Sequence, residues 1–154
     1  MLRLRDAEPS DVPDIFTMIR ELAAYERLLE EMVGSSADLR RHLFGEPRYA
    51  RALMAQWGDQ TAGFALYFFN YSTFRCLPGL YLEDLFVRPA FRGHGVGLAL
   101  LQALEQRAGA AGCGRLEWSV LDWNQSAIDF YRRFGAVPRP GWTLYRKQLP
   151  GAPG

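Results

Sequence analysis

The sequence predicts an α/β (α+β) domain in which a mixed, mainly antiparallel sheet is flanked by helices, in the order β-α-α-β-β-β-α-β-α-β. Three observations predict it. Apolar residues switch between a period of two and a helical period along the chain. Three aromatic and branched runs follow one another in the middle, separated only by turn residues. A glycine-rich loop then joins the last of these runs to a helix.

Leu2 and Leu4 alternate with Arg3 and Arg5 as a first strand, and Glu8-Pro9-Ser10-Asp11 supplies turn and N-cap chemistry. Val12, Ile15, Ile19, Leu22 and Ala23 then recur at helical spacing. Gly34-Ser35-Ser36 breaks the chain, and Ser36 is the expected cap of a second helix with Leu39 and Leu43 on one face, ending near Gly45-Glu46-Pro47. The period then changes. Tyr49 to Gln56, Thr61 to Tyr71 and Leu80 to Val87 read as consecutive antiparallel strands, parted by Gly58-Asp59-Gln60 and by a Pro78-Gly79 turn. Behind the glycine loop, Val96, Leu100, Ala103, Leu104 and Ala108 make an apolar helix face that Gly112-Cys113-Gly114 ends. A strand from Arg115 to Leu121, a helix capped by Asn124 and stopped at Gly135, and a last strand from Trp142 to Leu149 complete the order.

A chain of 154 residues, 49% of them hydrophobic, has the size of one compact domain, placed at residues 1–149; the tail 150–154 has nothing to bury. Net charge is +1 with both signs scattered, so no basic stripe is available to neutralise nucleic-acid phosphates. Cys76 and Cys113 stand far apart and in no ligand spacing, which argues against a disulfide framework and against a metal site. Met1-Leu2-Arg3-Leu4-Arg5 runs directly into strand-like sequence, and no stretch approaches the roughly 20 apolar residues of a membrane span. The expectation is a cytoplasmic protein with neither a nucleic-acid nor a membrane partner.

The glycine loop is the first place to look for chemistry. Backbone without side chains can approach a phosphate, and a helix N-terminus behind it directs N–H groups and partial positive charge outward. Glycines between a strand and a helix are as often simple turn residues, so the loop alone leaves both readings open. It is not the G-x-x-x-x-G-K-[ST] of a P-loop, nor a dinucleotide fingerprint with its acidic residue about 20 positions on. It reads R-x-x-G-x-G, starting from Arg92. The strand before it is apolar except for the adjacent carboxylates Glu83 and Asp84, and a buried charge is costly unless it is paired or used.

Arg92-Gly93-His94-Gly95-Val96-Gly97 after such a strand resembles the pyrophosphate-binding motif of the GNAT superfamily of acetyltransferases. More closely, Ile19 to Glu26, Gly63 to Phe68, Leu80 to Val87 and Trp123 to Tyr131 resemble the diamine acetyltransferase family, which acetylates spermidine, spermine or related amines. The similarity runs from the first strand to Lys147. It implies acetyl-CoA as co-substrate, held by backbone groups of Leu85, Phe86 and Val87, by the loop Arg92, Gly93, His94, Gly95, Val96, Gly97 and Leu98, and by Asn124, Gln125, Ser126 and Ala127. As side chains alone, Leu85 to Val87 read as ordinary core strand, and Asn124 as a helix cap that can serve both purposes.

Tyr131 resembles the family's general acid, which protonates the departing CoA thiolate; a phenol, with a reference pKa of about 10, carries its proton at neutral pH. An aromatic residue at this helical position otherwise packs in a core. An alkyl ammonium with a pKa near 10 must lose a proton before it can attack a thioester, and Glu83 is the assigned base. Pairing with an arginine, or simply holding the substrate cation, is the alternative for Glu83, while Asp84 is read as structural or cation-holding. Tyr25, Glu26, Glu117, Trp118 and Ser119 match substrate-lining stretches of the family. The reaction implied is direct transfer in a ternary complex, with no cysteine nucleophile.

Departures from the family bear on the acceptor. Ser72 and Phe74 stand where polyamine-acetylating members carry Asp and Trp, and Pro140 falls near an expected acid. A long polycation needs several anionic partners. Thialysine, lysine-like compounds or a small diamine are therefore placed beside spermidine. Acetylation of a protein lysine or N-terminus, and a non-catalytic acyl-CoA-binding regulator, are the competing readings; the presence of both Glu83 and Tyr131 argues against the second. The resemblance also implies a homodimer.

Overall fold

The computed structural model describes residues 1–151, so the last three positions of the expected tail lie outside the described residues. The chain divides into two compact units, Met1–Trp118 and the segment from Ser119 onward.

The first unit is built on a five-stranded sheet in sequence order: β1 (Leu2–Asp6), β2 (Arg51–Trp57), β3 (Gln60–Ser72), β4 (Leu77–Val87) and β5 (Leu116–Glu117). The first three pairings are antiparallel and the last is parallel. Helices α1 (Val12–Tyr25) and α2 (Ser36–Phe44) follow β1, and α3 (Val96–Ala110) links β4 to β5. Ile15, Met18 and Leu43 pack with Ala52, Met54, Phe64, Leu66 and Phe86, which fixes the sheet face under α1 and α2. The intervening positions face α3, as the bond from Arg107 to the Tyr67 hydroxyl shows. Because both faces are covered, the middle of β2 and of β3 is buried without alternation, and this is why those stretches read as continuous apolar runs.

The joint between β1 and α1 is electrostatic. Arg5 grips Asp11 with two bonds of 2.7 and 2.9 Å, and the same carboxylate accepts the Glu8 N–H at 2.7 Å. The Arg5 guanidinium holds the Asp11 carboxyl below the ordinary aspartate range.

Several boundaries differ from expectation. Ser35, not Ser36, caps α2, its hydroxyl accepting from the Asp38 N–H. Pro78-Gly79 is not a turn: both lie in β4, paired with Tyr71 and Asn70, and the chain reverses over 73–76 instead. A Cβ on Gly79 would run into the Asn70 Oδ1, so this glycine serves a close approach across the ladder. The strand expected from Arg115 to Leu121 shrinks to Leu116–Glu117. Trp142 to Leu149 forms no strand. Trp142, Leu144 and Tyr145 are 78%, 83% and 89% exposed, and an alternating pattern makes a strand only where a neighbour takes up its peptide groups.

In the second unit the secondary structure is α4 (Gln125–Phe134). Asn124 caps it as expected, accepting from the Ala127 N–H, and Gly135 ends it in the left-handed conformation at φ 99°.

Candidate functional site

β4 organises the site in the first unit. Its ladder with β3 slips between Leu66, opposite Asp84, and Tyr67, opposite Leu82, so that Glu83 has no partner across the sheet. This is a β-bulge, a device that re-aims side chains. Beyond it, the Arg88 N–H donates to Ala62 O at 2.8 Å. Peptide groups alternate sides along a strand, so those of Phe86 also turn to β3 while those of Leu85 and Val87 turn away. On that far side β5 pairs only with Leu80 and Tyr81. The edge at Leu85 and Val87 therefore has no ladder partner among the described residues, and the Val87 carbonyl accepts from Arg92 Nε at 2.9 Å. Phe86 contributes a buried ring instead.

The loop behind this edge is shaped by two glycines. Gly93 and Gly95 sit at φ +79° and +80°, where L side chains are strained, and beyond the adjoining residues no heavy atom lies within 4 Å of the place a Cβ would occupy. The glycines are needed for backbone shape, and their lack of side chains keeps the space above α3 clear. Gly95 is the N-cap, no side chain caps the helix, and its first turn carries no acidic residue. The first intrahelical bond runs from Ala99 N to Gly95 O, so the N–H groups of Val96, Gly97 and Leu98 have no intrahelical acceptor. Val96 anchors the turn in the core while Leu98 is exposed. The His94 ring packs on Trp57 with centroids 5.4 Å apart. The Arg92 guanidinium lies 5.6 Å from the ring centroids of both Tyr25 and Phe86. This is an anion site in form: free N–H donors, a helix dipole and an arginine.

A second feature, of opposite sign, is assembled from α1 and the bulge. The end of α1 is closed by Leu28 N donating to Ala23 O and Arg27 N to Ala24 O, the paired bonds of a Schellman motif with Arg27 in the left-handed position at φ 62°. That closure presents Glu26 to the carboxylates of β4. Burial, then the charge of Glu83, raise the Glu26 carboxyl. Burial, then Glu83, then Glu26, push Asp84 up to about 7. Three carboxylates thus act on one another, and no cation is ion-paired to any of them among the described residues. No group of three His, Cys, Asp or Glu could hold a metal ion among those residues either. An organic cation meets the electrostatic need of such a trio.

Glu83 itself is exposed and Asp84 is half-buried, because the bulge interrupts the alternation of the strand. Glu117, on β5, is ion-paired to Arg115 at 3.1 Å. Trp118 is half-buried at the end of the first unit, and Ser119 is exposed at the start of the second. The second unit places Asn124, buried, at the mouth of α4, with Gln125 and Ser126 exposed beside it and Ala127 half-buried. Tyr131 stands seven positions beyond the cap, almost two turns at about 100° per residue, so the two share a helix face. Its ring lies against Phe130 at 5.6 Å. Trp57 and Arg27 were not legible as site residues: Trp57 reads as the end of a strand, and Arg27 is neither the glycine nor the asparagine that announces a left-handed helix end.

The acetyltransferase (GNAT) family model matches residues 16–136. Among relatives in sequence, the chain is 36% identical to a thialysine N-epsilon-acetyltransferase of Bos taurus, over 93% of this chain and 90% of that protein. It is 38% identical to spermidine/spermine N(1)-acetyltransferase-like protein 1 of Homo sapiens, over 94% of this chain but 22% of that longer protein. Among solved structures, an integron cassette protein from the mobile metagenome of V. cholerae aligns with a TM-score of 0.80 at 27% identity, covering 97% of this chain and 94% of that one.

Proposed function

The chain belongs to the acetyltransferase (GNAT) family, and from that premise we propose that it transfers acetyl from acetyl-CoA to the primary amine of a small cationic molecule, in a single acetyltransferase domain over residues 1–149. The observation that carries the acceptor class is the uncompensated trio Glu26, Glu83 and Asp84 beside the open edge of β4. Three carboxylates with no ion-paired cation among the described residues favour an ammonium ligand, and the relatives named for thialysine and polyamine acetylation act on molecules of that kind.

Acetyl-CoA supplies a thioester with an electrophilic carbonyl carbon and a thiolate leaving group. The loop from Gly93 to Leu98 and Arg92 would take its pyrophosphate, the outward peptide groups of Leu85 and Val87 would hold its arm, and the capped turn Asn124 to Ala127 would line it. Glu83, exposed at the bulge, accepts a proton from the ammonium directly or through water. The freed nitrogen lone pair then forms the N–C bond as the C–S bond breaks. Tyr131 gives its proton to the sulfur, and the second proton lost by the nitrogen restores the phenol. Asp84 and Glu26 hold the cation while this occurs.

The free cysteines Cys76 and Cys113 support a cytoplasmic setting, and the exposed Trp142, Leu144 and Tyr145 support a homodimer. The reading is tested by incubating the protein with acetyl-CoA and a panel of thialysine, lysine, short diamines, spermidine, spermine and lysine peptides, following thiol release. Turnover of the short amines at least matching that of spermine is expected. Thiol release with peptides alone would overturn the small-amine assignment.

A further inference from the structure

Tyr25 and Glu26 are adjacent at the end of α1, yet they serve opposite charges. Burial and the Glu83 charge raise the Glu26 carboxyl. Tyr25 offers its ring to Arg92, 5.6 Å from the guanidinium carbon. The guanidinium meets Phe86 at the same distance and donates through Nε to the Val87 carbonyl. An arginine held by two aromatic rings and one backbone carbonyl has little rotamer freedom left to lose. Its two terminal nitrogens make no hydrogen bond or ion pair among the described residues, and they belong to the loop before a helix whose first N–H groups have no intrahelical acceptor.

We infer that Tyr25 is a positioning residue for the acyl-donor loop, fixing Arg92 for the diphosphate, and not a contact for the amine. The inference rests on the loop being the acetyl-CoA site. It separates two neighbouring residues that sequence matching assigns together to the acceptor. It also makes the Schellman closure at Arg27 a shared support, since the same helix end aims one side chain at the donor loop and the next at the acceptor carboxylates.

The experiment is steady-state kinetics with each substrate varied in turn, together with calorimetric titration of CoA. Tyr25→Leu, which keeps bulk but removes the π face, is expected to raise KM for acetyl-CoA roughly five- to tenfold and to leave KM for the amine within about twofold. Tyr25→Phe, which keeps the face, holds KM for acetyl-CoA within about twofold of the wild type. Arg92→Ala weakens CoA binding, and Tyr25→Leu adds little once Arg92→Ala is present, because Tyr25 acts through Arg92. Glu26→Gln gives the reverse pattern, raising KM for the amine only. A Tyr25→Leu protein whose amine KM rises while its acetyl-CoA KM stays put would overturn the inference, as would Tyr25→Phe losing as much CoA affinity as Tyr25→Leu. Absence of CoA binding by the wild type would overturn the reading of the loop itself, a result separable from either of these.

Discussion

Asp84 on β4 lies in the electrostatic field of Glu26 at the end of α1. Burial, then Glu83, then Glu26, push its carboxyl up to about 7. Its ordinary value, 3.8, is that of the unfolded chain. The folded protein therefore holds this proton more tightly than the unfolded one, and the stability linked to Asp84 is complete below pH about 4 and lost as the pH rises through 7. Asp84→Asn removes the ionisation, and the variant should gain about 2–4 kcal/mol on the wild type at pH 8 and almost nothing at pH 4. Denaturant unfolding of both proteins at pH 4, 6 and 8 checks this; parallel pH curves would show that Asp84 does not titrate in that window. Through the same ionisation, amine affinity in the wild type should rise between pH 6 and 8 and that slope should flatten in the variant.

Gly93 and Gly95 have room for a methyl group but not the backbone conformation for one. Alanine at either position costs about 1–2 kcal/mol of conformational strain, lowering Tm by several degrees in a chain of this size. The new methyl also stands in the path of an anion approaching the first N–H groups of α3. Loss of one charged hydrogen bond there corresponds to about a tenfold rise in KM for acetyl-CoA, with kcat less affected. Scanning calorimetry and initial rates separate the two effects. A fall in Tm without a change in KM would place the anion elsewhere.

Tyr131→Phe isolates one oxygen atom. The residue is half-buried on a helix whose cap at Asn124 and stop at Gly135 do not depend on the hydroxyl, so the helix itself should be kept. Removing a general acid lowers kcat by about 10²–10⁴. An acceptor attacking a thioester with a better leaving group, such as an aryl thioester, should recover part of the loss. Unchanged kcat in Tyr131→Phe with acetyl-CoA would show that the thiolate takes its proton from another source.

Most of the order of elements was readable because each follows from local periodicity. The helix faces led by Val12 and Val96, the cap at Asn124 and the stop at Gly135 depend on residues close in sequence, and the structure shows each of them. What sequence could not supply depends on pairing. Gly79 looks like a turn residue until Asn70 is seen across the ladder, and Trp142 to Leu149 alternates like a strand without lying in a sheet. The same holds at the site. Glu83 and Asp84 are conspicuous as adjacent acids, but which of them is the less exposed depends on a one-residue slip against β3. The glycine loop could be read directly, since its function resides in backbone shape; the attachment of Arg92 to Tyr25 needed the fold.

Arg27 provides a test of the helix end that supports both halves of the site. Its φ of 62° is one that an L residue adopts at a cost of about 1–2 kcal/mol, and glycine occupies it freely. Glycine in turn gives up about 0.5–1 kcal/mol through the greater freedom of its unfolded chain. Counting the backbone alone, Arg27→Gly should stabilise the protein by about 0.5–1 kcal/mol and raise Tm by about 1–4 °C, less whatever the Arg27 side-chain contacts contribute. The bonds that close the helix run from the backbone of Arg27 and Leu28, so the substitution leaves them intact and Tyr25 and Glu26 keep their directions. KM values for both substrates should then stay near those of the wild type while Tm rises. A stabilised protein with raised KM for both would mean that the Arg27 side chain contributes to the site; a destabilised one would mean that its side-chain contacts outweigh the backbone strain.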